Sequence, residues 1–76
     1  MLKELVEYIV KTLVDKPDVV VVTEAREGTK SIVRVKVGDL DLGRVIGKDG
    51  QTIRAIRALA TAIAPKGQEI SIDVSK

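Results

Sequence analysis

The sequence predicts an α+β domain whose elements run α-β-β-α-α-β. Three observations predict it: apolar residues at helical spacing over residues 2–14, β-branched stretches within 19–37 and again at 69–74, and two helical segments meeting at a turn bracketed by glycines at 47 and 50.

Leu2, Leu5, Val6, Ile9, Val10 and Leu13 recur at i, i+3, i+4, i+7, i+8 and i+11. This marks one face of a helix, with Lys3, Glu4, Glu7, Lys11 and Asp15 on the other. Glu7 precedes Lys11 by four residues, the favourable order for an ion pair. Pro17 ends the helix by forcing Lys16 out of helical geometry. Residues 19–23 are β-branched and read as a strand. Val19, Val20, Val21 and Val22 are all apolar, so the pattern leaves open which alternate pair faces outward; that pair is a candidate contact surface. After a turn at Glu27-Gly28-Thr29, residues 30–37 alternate Val33, Val35 and Val37 with Arg34 and Lys36. One face is therefore buried and the other basic, and the two strands form an antiparallel hairpin. Arg34 and Lys36 read as a solvated face.

Gly38-Asp39 breaks the second strand. A short helix is expected over 40–46 and a longer one over 51–64, ended by Pro65 and Gly67. On the longer helix Ile53, Ile56, Leu59, Ala60 and Ile63 share one face, and Arg54, Arg57, Ala58 and Thr61 another. Ile70, Ile72 and Val74 alternate with Ser71 and Asp73 in a third, half-buried strand. With no linker, repeat or low-complexity segment, residues 1–76 read as one domain.

A chain of 76 residues buries only about 60% of the surface its unfolded form exposes, which leaves a thin stability margin. Disulfides and structural metals commonly supplement such domains, yet there is no Cys and no His. No metal or cofactor is expected, and self-association is the remaining common supplement. The net charge of +2 and pI near 9.1 permit a nucleic-acid partner without requiring one. Tyr8 is the only aromatic residue, which argues against domains that stack bases on exposed rings, such as RRM, cold-shock and OB platforms. Beside the apolar stripe of the first helix, Tyr8 reads as a half-buried core residue. No apolar run reaches membrane-spanning length and no signal pattern opens the chain, so a cytoplasmic protein without a membrane role is expected.

The chemistry concentrates in Val45-Ile46-Gly47-Lys48-Asp49-Gly50-Gln51-Thr52-Ile53. Glycines bracketing a two-residue turn permit unusual dihedrals and close approach of another backbone. The helix behind them offers free N–H groups and the positive end of its dipole, and Lys48 adds a mobile cation. Ile46 and Ile53, with Ile56 beyond them, supply an apolar margin, and Arg44 and Arg54, with Arg57 further along, extend the positive surface. Asp49 sets a negative charge beside the same track; capping of the longer helix is the favoured explanation for an acid there.

In this element order the Ile-Gly-x-x-Gly turn resembles the KH family, whose minimal β-α-α-β unit carries that loop between its helices. The added N-terminal helix and strand are similar to the type II arrangement, and over nearly the whole chain the sequence resembles small bacterial KhpA-type proteins. The resemblance implies a three-stranded mixed sheet packed against three helices. It also implies single-stranded RNA lying in a groove for about four nucleotides, clamped by Gly47, Lys48, Asp49 and Gly50 and flanked by Ile46 and Ile53. It further implies a homodimer, a larger Jag-type KH protein as a second partner, and a link to cell elongation and division.

Other readings fare worse. Only three residues separate Gly43 from Gly47, and Asp49 follows Lys48, so a nucleotide-binding P-loop fails on spacing and on its hydroxyl residue. Without Cys or His, nothing pairs with the scattered carboxylates to build an active site, and a non-enzyme is expected. A helix-turn-helix reading, with Gln51, Thr52, Arg54 and Arg57 facing duplex DNA, leaves the strands without a role. A protein-interaction module, a KH fold used chiefly for pairing, is the rival from another class.

Overall fold

A computed structural model of the chain describes residues 2–76. Its elements are α1 (Leu2–Leu13), β1 (Val21–Glu27), β2 (Lys30–Lys36), α2 (Leu42–Ile46), α3 (Gln51–Ile63) and β3 (Glu69–Ser75), in the order expected. The sheet order is β1-β2-β3, with β1 antiparallel and β3 parallel to the central β2. Helix α1 lies against β1 and α3, whereas α2 and α3 pack on β3. The mixed sheet follows from connectivity. A tight turn suffices between β1 and β2, but a parallel return to β3 needs the crossover that α2 and α3 provide.

Valine dominates the interior. Val6 and Val10 of α1 meet Val22 of β1, Val33 and Val35 of β2, and Val45, Ile56 and Ala60 from the other two helices. The strands contribute alternate residues, so Val33, Val35 and Val37 are buried while Arg34 and Lys36 face solvent. The ambiguous valine run resolves the same way: Val20 and Val22 are buried, and Val19 and Val21 are about half exposed. Ser31 is fully buried and accepts a hydrogen bond from the Gln68 side chain, tying β2 to the α3–β3 connection.

Several expectations need correction. The first strand begins at Val21 and continues to Glu27, because Pro17–Val19 forms a 3-10 turn and pairing carries the polar residues beyond Thr23 into the ladder as far as Glu27 opposite Lys30. The connecting turn is just Gly28-Thr29, with Gly28 at φ 62°. Tyr8 is not half-buried but 73% exposed. Two residues from both Val6 and Val10, it stands about 200° around the helix from each and points away from the core. Just past the end of the helix Val14, not Leu13, enters the core. The short helix begins at Leu42, preceded by a 3-10 turn at Asp39–Asp41 that leaves Leu40 in solvent. On α3 the apolar face divides. Ile56 and Ala60 are buried, but Leu59 and Ile63 remain 55% and 47% exposed, because α1, α2 and β3 cover only part of the helix circumference.

Candidate nucleic-acid interface

The loop at 47–50 is held by its own backbone. The Gly47 N–H donates to the Gly43 carbonyl at 2.8 Å and closes α2, and the Gly50 N–H donates to the Gly47 carbonyl at 3.1 Å. Gly47 adopts φ 77°, ψ 171°, a region open essentially to glycine alone. Space excludes other residues as well: a Cβ there would lie 2.7 Å from the Thr52 Cβ and 2.9 Å from the Thr52 backbone nitrogen. Gly50, at φ 74°, ψ 16°, is left-handed and occupies the N-cap position of α3.

Asp49 is left-handed too, at φ 56°, ψ 24°. It does not cap α3, since Gly50 holds that position and no side chain makes a capping hydrogen bond. An acid at 49 has a different explanation. Asp is among the few residues other than glycine that tolerate left-handed geometry, and consecutive left-handed residues are what swing the chain from α2 into α3. The uncapped first turn keeps its positive dipole end open on the loop side.

The cations differ in how free they are. Lys48 is exposed and has no ion-pair partner among the described residues. Arg54 folds back along the first turn of α3, its Nη1 3.5 Å from where a Cβ on Gly50 would stand, so the structure brings it onto the loop. Arg57 is exposed on the same helix. Arg44 is engaged elsewhere: Nη2 lies 3.2 Å from Asp15 Oδ2 and Nε 3.7 Å from Asp41 Oδ1. Ile46 is 36% exposed, while Ile53 is partly buried against the core. Lys48 thus stands in the glycine turn, with Ile46 next to that turn in sequence and Arg54 folded onto it. Ile53, on the first turn of α3, packs toward the core, and Arg44 is drawn to the root of α2.

Two residues at this site escape sequence reasoning. Thr52 packs directly on Gly47, and its only sequence signal is a β-branched residue two places after a turn glycine. Asp41 is 3% exposed, and nothing in Asp39-Leu40-Asp41 distinguishes a buried acid from its solvated neighbour. A hollow of about 270 Å3 lies on this side, lined by Asp15, Lys16, Gly38, Asp39, Leu40 and Asp41. Three carboxylates make it a poor seat for a polyanion. Among the described residues no group of His, Cys, Asp or Glu could hold a metal ion, and no helix is long and apolar enough to cross a membrane.

A β-α-α-β unit with a Gly-x-x-Gly turn between its helices, preceded by a helix and a strand, defines a KH domain of the type II arrangement. The family profile described as KhpA/KhpB, KH domain, matches residues 3–75. The chain belongs to this family, which is not a family of enzymes. It is 41% identical over 73 residues to the RNA-binding protein KhpA of Thermotoga maritima, covering 96% of this chain and 97% of the relative. It is 41% identical over 75 residues to the protein of the same name from Chlamydia trachomatis, covering 96% and 95%. The Clostridium perfringens RNA-binding protein KhpA is 48% identical over 65 residues, covering 86% and 87%. No solved structure gave a significant match.

Proposed function

We propose that this chain is a single KH domain that binds single-stranded RNA with low sequence specificity. The observation that carries the reading is the uncapped turn at 47–50, left-handed at Asp49 and Gly50, which presents Lys48 to solvent and has Arg54 folded back onto it. RNA phosphates run along Gly47, Lys48, Asp49 and Gly50, and bases lie over Ile46 and Ile53. Arg54 lines the track, and Arg44, which the sequence also offers as a contact, is held at its margin by Asp15 and Asp41. The printed names of the relatives support RNA as the ligand. Few phosphates are neutralised and Asp49 opposes them, so one copy binds weakly. A role as a cytoplasmic RNA chaperone or post-transcriptional regulator suits weak, unspecific contact. Labelled single-stranded RNA titrated with wild type and Lys48→Asp tests the loop. Affinity should fall about tenfold or more in the variant, and equal binding by both excludes this mechanism.

Pairing is the second part of the reading, favoured by the exposed Leu59 and Ile63 on α3. A second copy covering them supplements the thin core and sets two RNA tracks side by side, which raises avidity through effective concentration. A Jag-type KH protein is the other occupant of this face, and would make the chain an interaction module in a complex governing cell elongation or division. Sedimentation at micromolar concentration should give a dimer for wild type and a monomer for Leu59→Asp; a wild-type monomer ends the proposal of self-pairing.

A further inference from the structure

Among the described residues Asp41 is the one charged residue in the core, and its surroundings account for it. Oδ1 accepts the Asp15 backbone N–H and Oδ2 the Lys16 backbone N–H, each at 3.1 Å. These two amides closely follow α1, so the carboxylate ties the end of that helix to the residue on which α2 begins. Arg44, one turn later, reaches back to Asp41 Oδ1 at 3.7 Å and to Asp15 Oδ2 at 3.2 Å. Helix α2 has only five residues and too few internal hydrogen bonds to hold its own position. Its far end is Gly47, whose N–H bonds to Gly43 within that same helix. Val45 seats this helix in the core and the Asp41 carboxylate fixes its root, so the two together set where the loop stands.

We infer that Asp41, with Arg44 laid across it and Asp15, is a latch that positions α2 and the 47–50 loop, and that Arg44 acts on RNA through this latch without touching phosphate. Both are positioning residues. A phosphate-binding Arg44 and a latched Arg44 predict opposite signs when the aspartates are neutralised. If Arg44 grips RNA, Asp41→Asn and Asp15→Asn free its guanidinium and remove repulsion, so RNA binds more tightly. If it serves the latch, the same changes release α2 and RNA binds less well, although the protein has become more positive.

The functional half of this inference rests on the RNA-binding reading, so the test carries a readout that needs no RNA. Backbone amide exchange is measured for wild type, Asp41→Asn and Asp15→Asn beside titration with labelled single-stranded RNA. The latch predicts exchange at Gly47 and Gly50 faster by roughly tenfold in Asp41→Asn, with Val33 in the central strand unchanged. RNA affinity should fall roughly three- to tenfold in Asp41→Asn, and about twofold or less in Asp15→Asn, whose pair is exposed. Affinity that rises or stays level in both variants overturns the inference, as does exchange that is unchanged at the loop or accelerated equally at Val33. If Asp41→Asn does not fold, Asp15→Asn, 69% exposed at its side chain, carries both measurements. RNA binding absent from wild type would refute the functional reading, and loop exchange would still decide the latch.

Discussion

Gly28 and Gly47 both sit at tight turns with positive φ, at 62° and 77°, and they are there for different reasons. A Cβ on Gly28 would meet nothing within 4 Å, so that turn needs glycine only for its backbone geometry. A Cβ on Gly47 would press into the backbone and side chain of Thr52, and its ψ of 171° lies outside the left-handed well that Asp or Asn can use. The hairpin turn is a joint, and the loop between α2 and α3 is a fitted surface. Glycine spacing alone does not separate the two; what stands next to each glycine does.

Breaking the fitted surface should have the largest effect. Gly47→Ala is expected to cost about 3 kcal/mol or more, from backbone strain together with displacement of Thr52. On a small domain this lowers the melting temperature by roughly ten degrees or more, and it should abolish RNA binding in titrations run where the variant is still folded. Gly28→Ala should cost only about 1 kcal/mol and leave RNA affinity unchanged. Equal losses in the two variants would erase the distinction between joint and fitted surface. The smallest effect belongs to Asp49→Asn, which keeps a residue tolerant of left-handed geometry and removes the charge. Stability should move by less than about 0.5 kcal/mol, while RNA affinity rises about twofold; a fall in affinity would mean that the carboxylate itself contacts the ligand.

Much of the molecule is legible in the residues, and the parts that are not share a physical cause. Period-2 alternation places Val33, Val35 and Val37 inward because β2 is the central strand, with helices on one face and solvent on the other. The same reasoning stalls on the four valines before Thr23, which satisfy either parity; neighbours decide in favour of Val20 and Val22. The α3 stripe predicts a single buried face, but how wide a face is covered depends on how many elements lie against it, and that is a tertiary fact. Hence Leu59 and Ile63 stay exposed. Within the site, Gly47-Lys48-Asp49-Gly50 is visible as a motif, whereas the left-handed geometry of Asp49, the burial of Asp41 and the seat of Arg44 between two aspartates are not. The last two depend on neighbours far away in the chain, as Arg44 depends on Asp15 across the α1–α2 junction.

The difference between the two turns matters for function only if phosphate meets the loop, and salt dependence reads that directly. Affinity for single-stranded RNA measured across a series of salt concentrations should give a log–log slope on the order of −1.5 to −3 for wild type. Lys48→Met should make the slope shallower by about 0.7, the change expected when one phosphate is no longer neutralised. A slope near zero in wild type, or one that Lys48→Met leaves unchanged, would contradict the account that this loop is the RNA clamp.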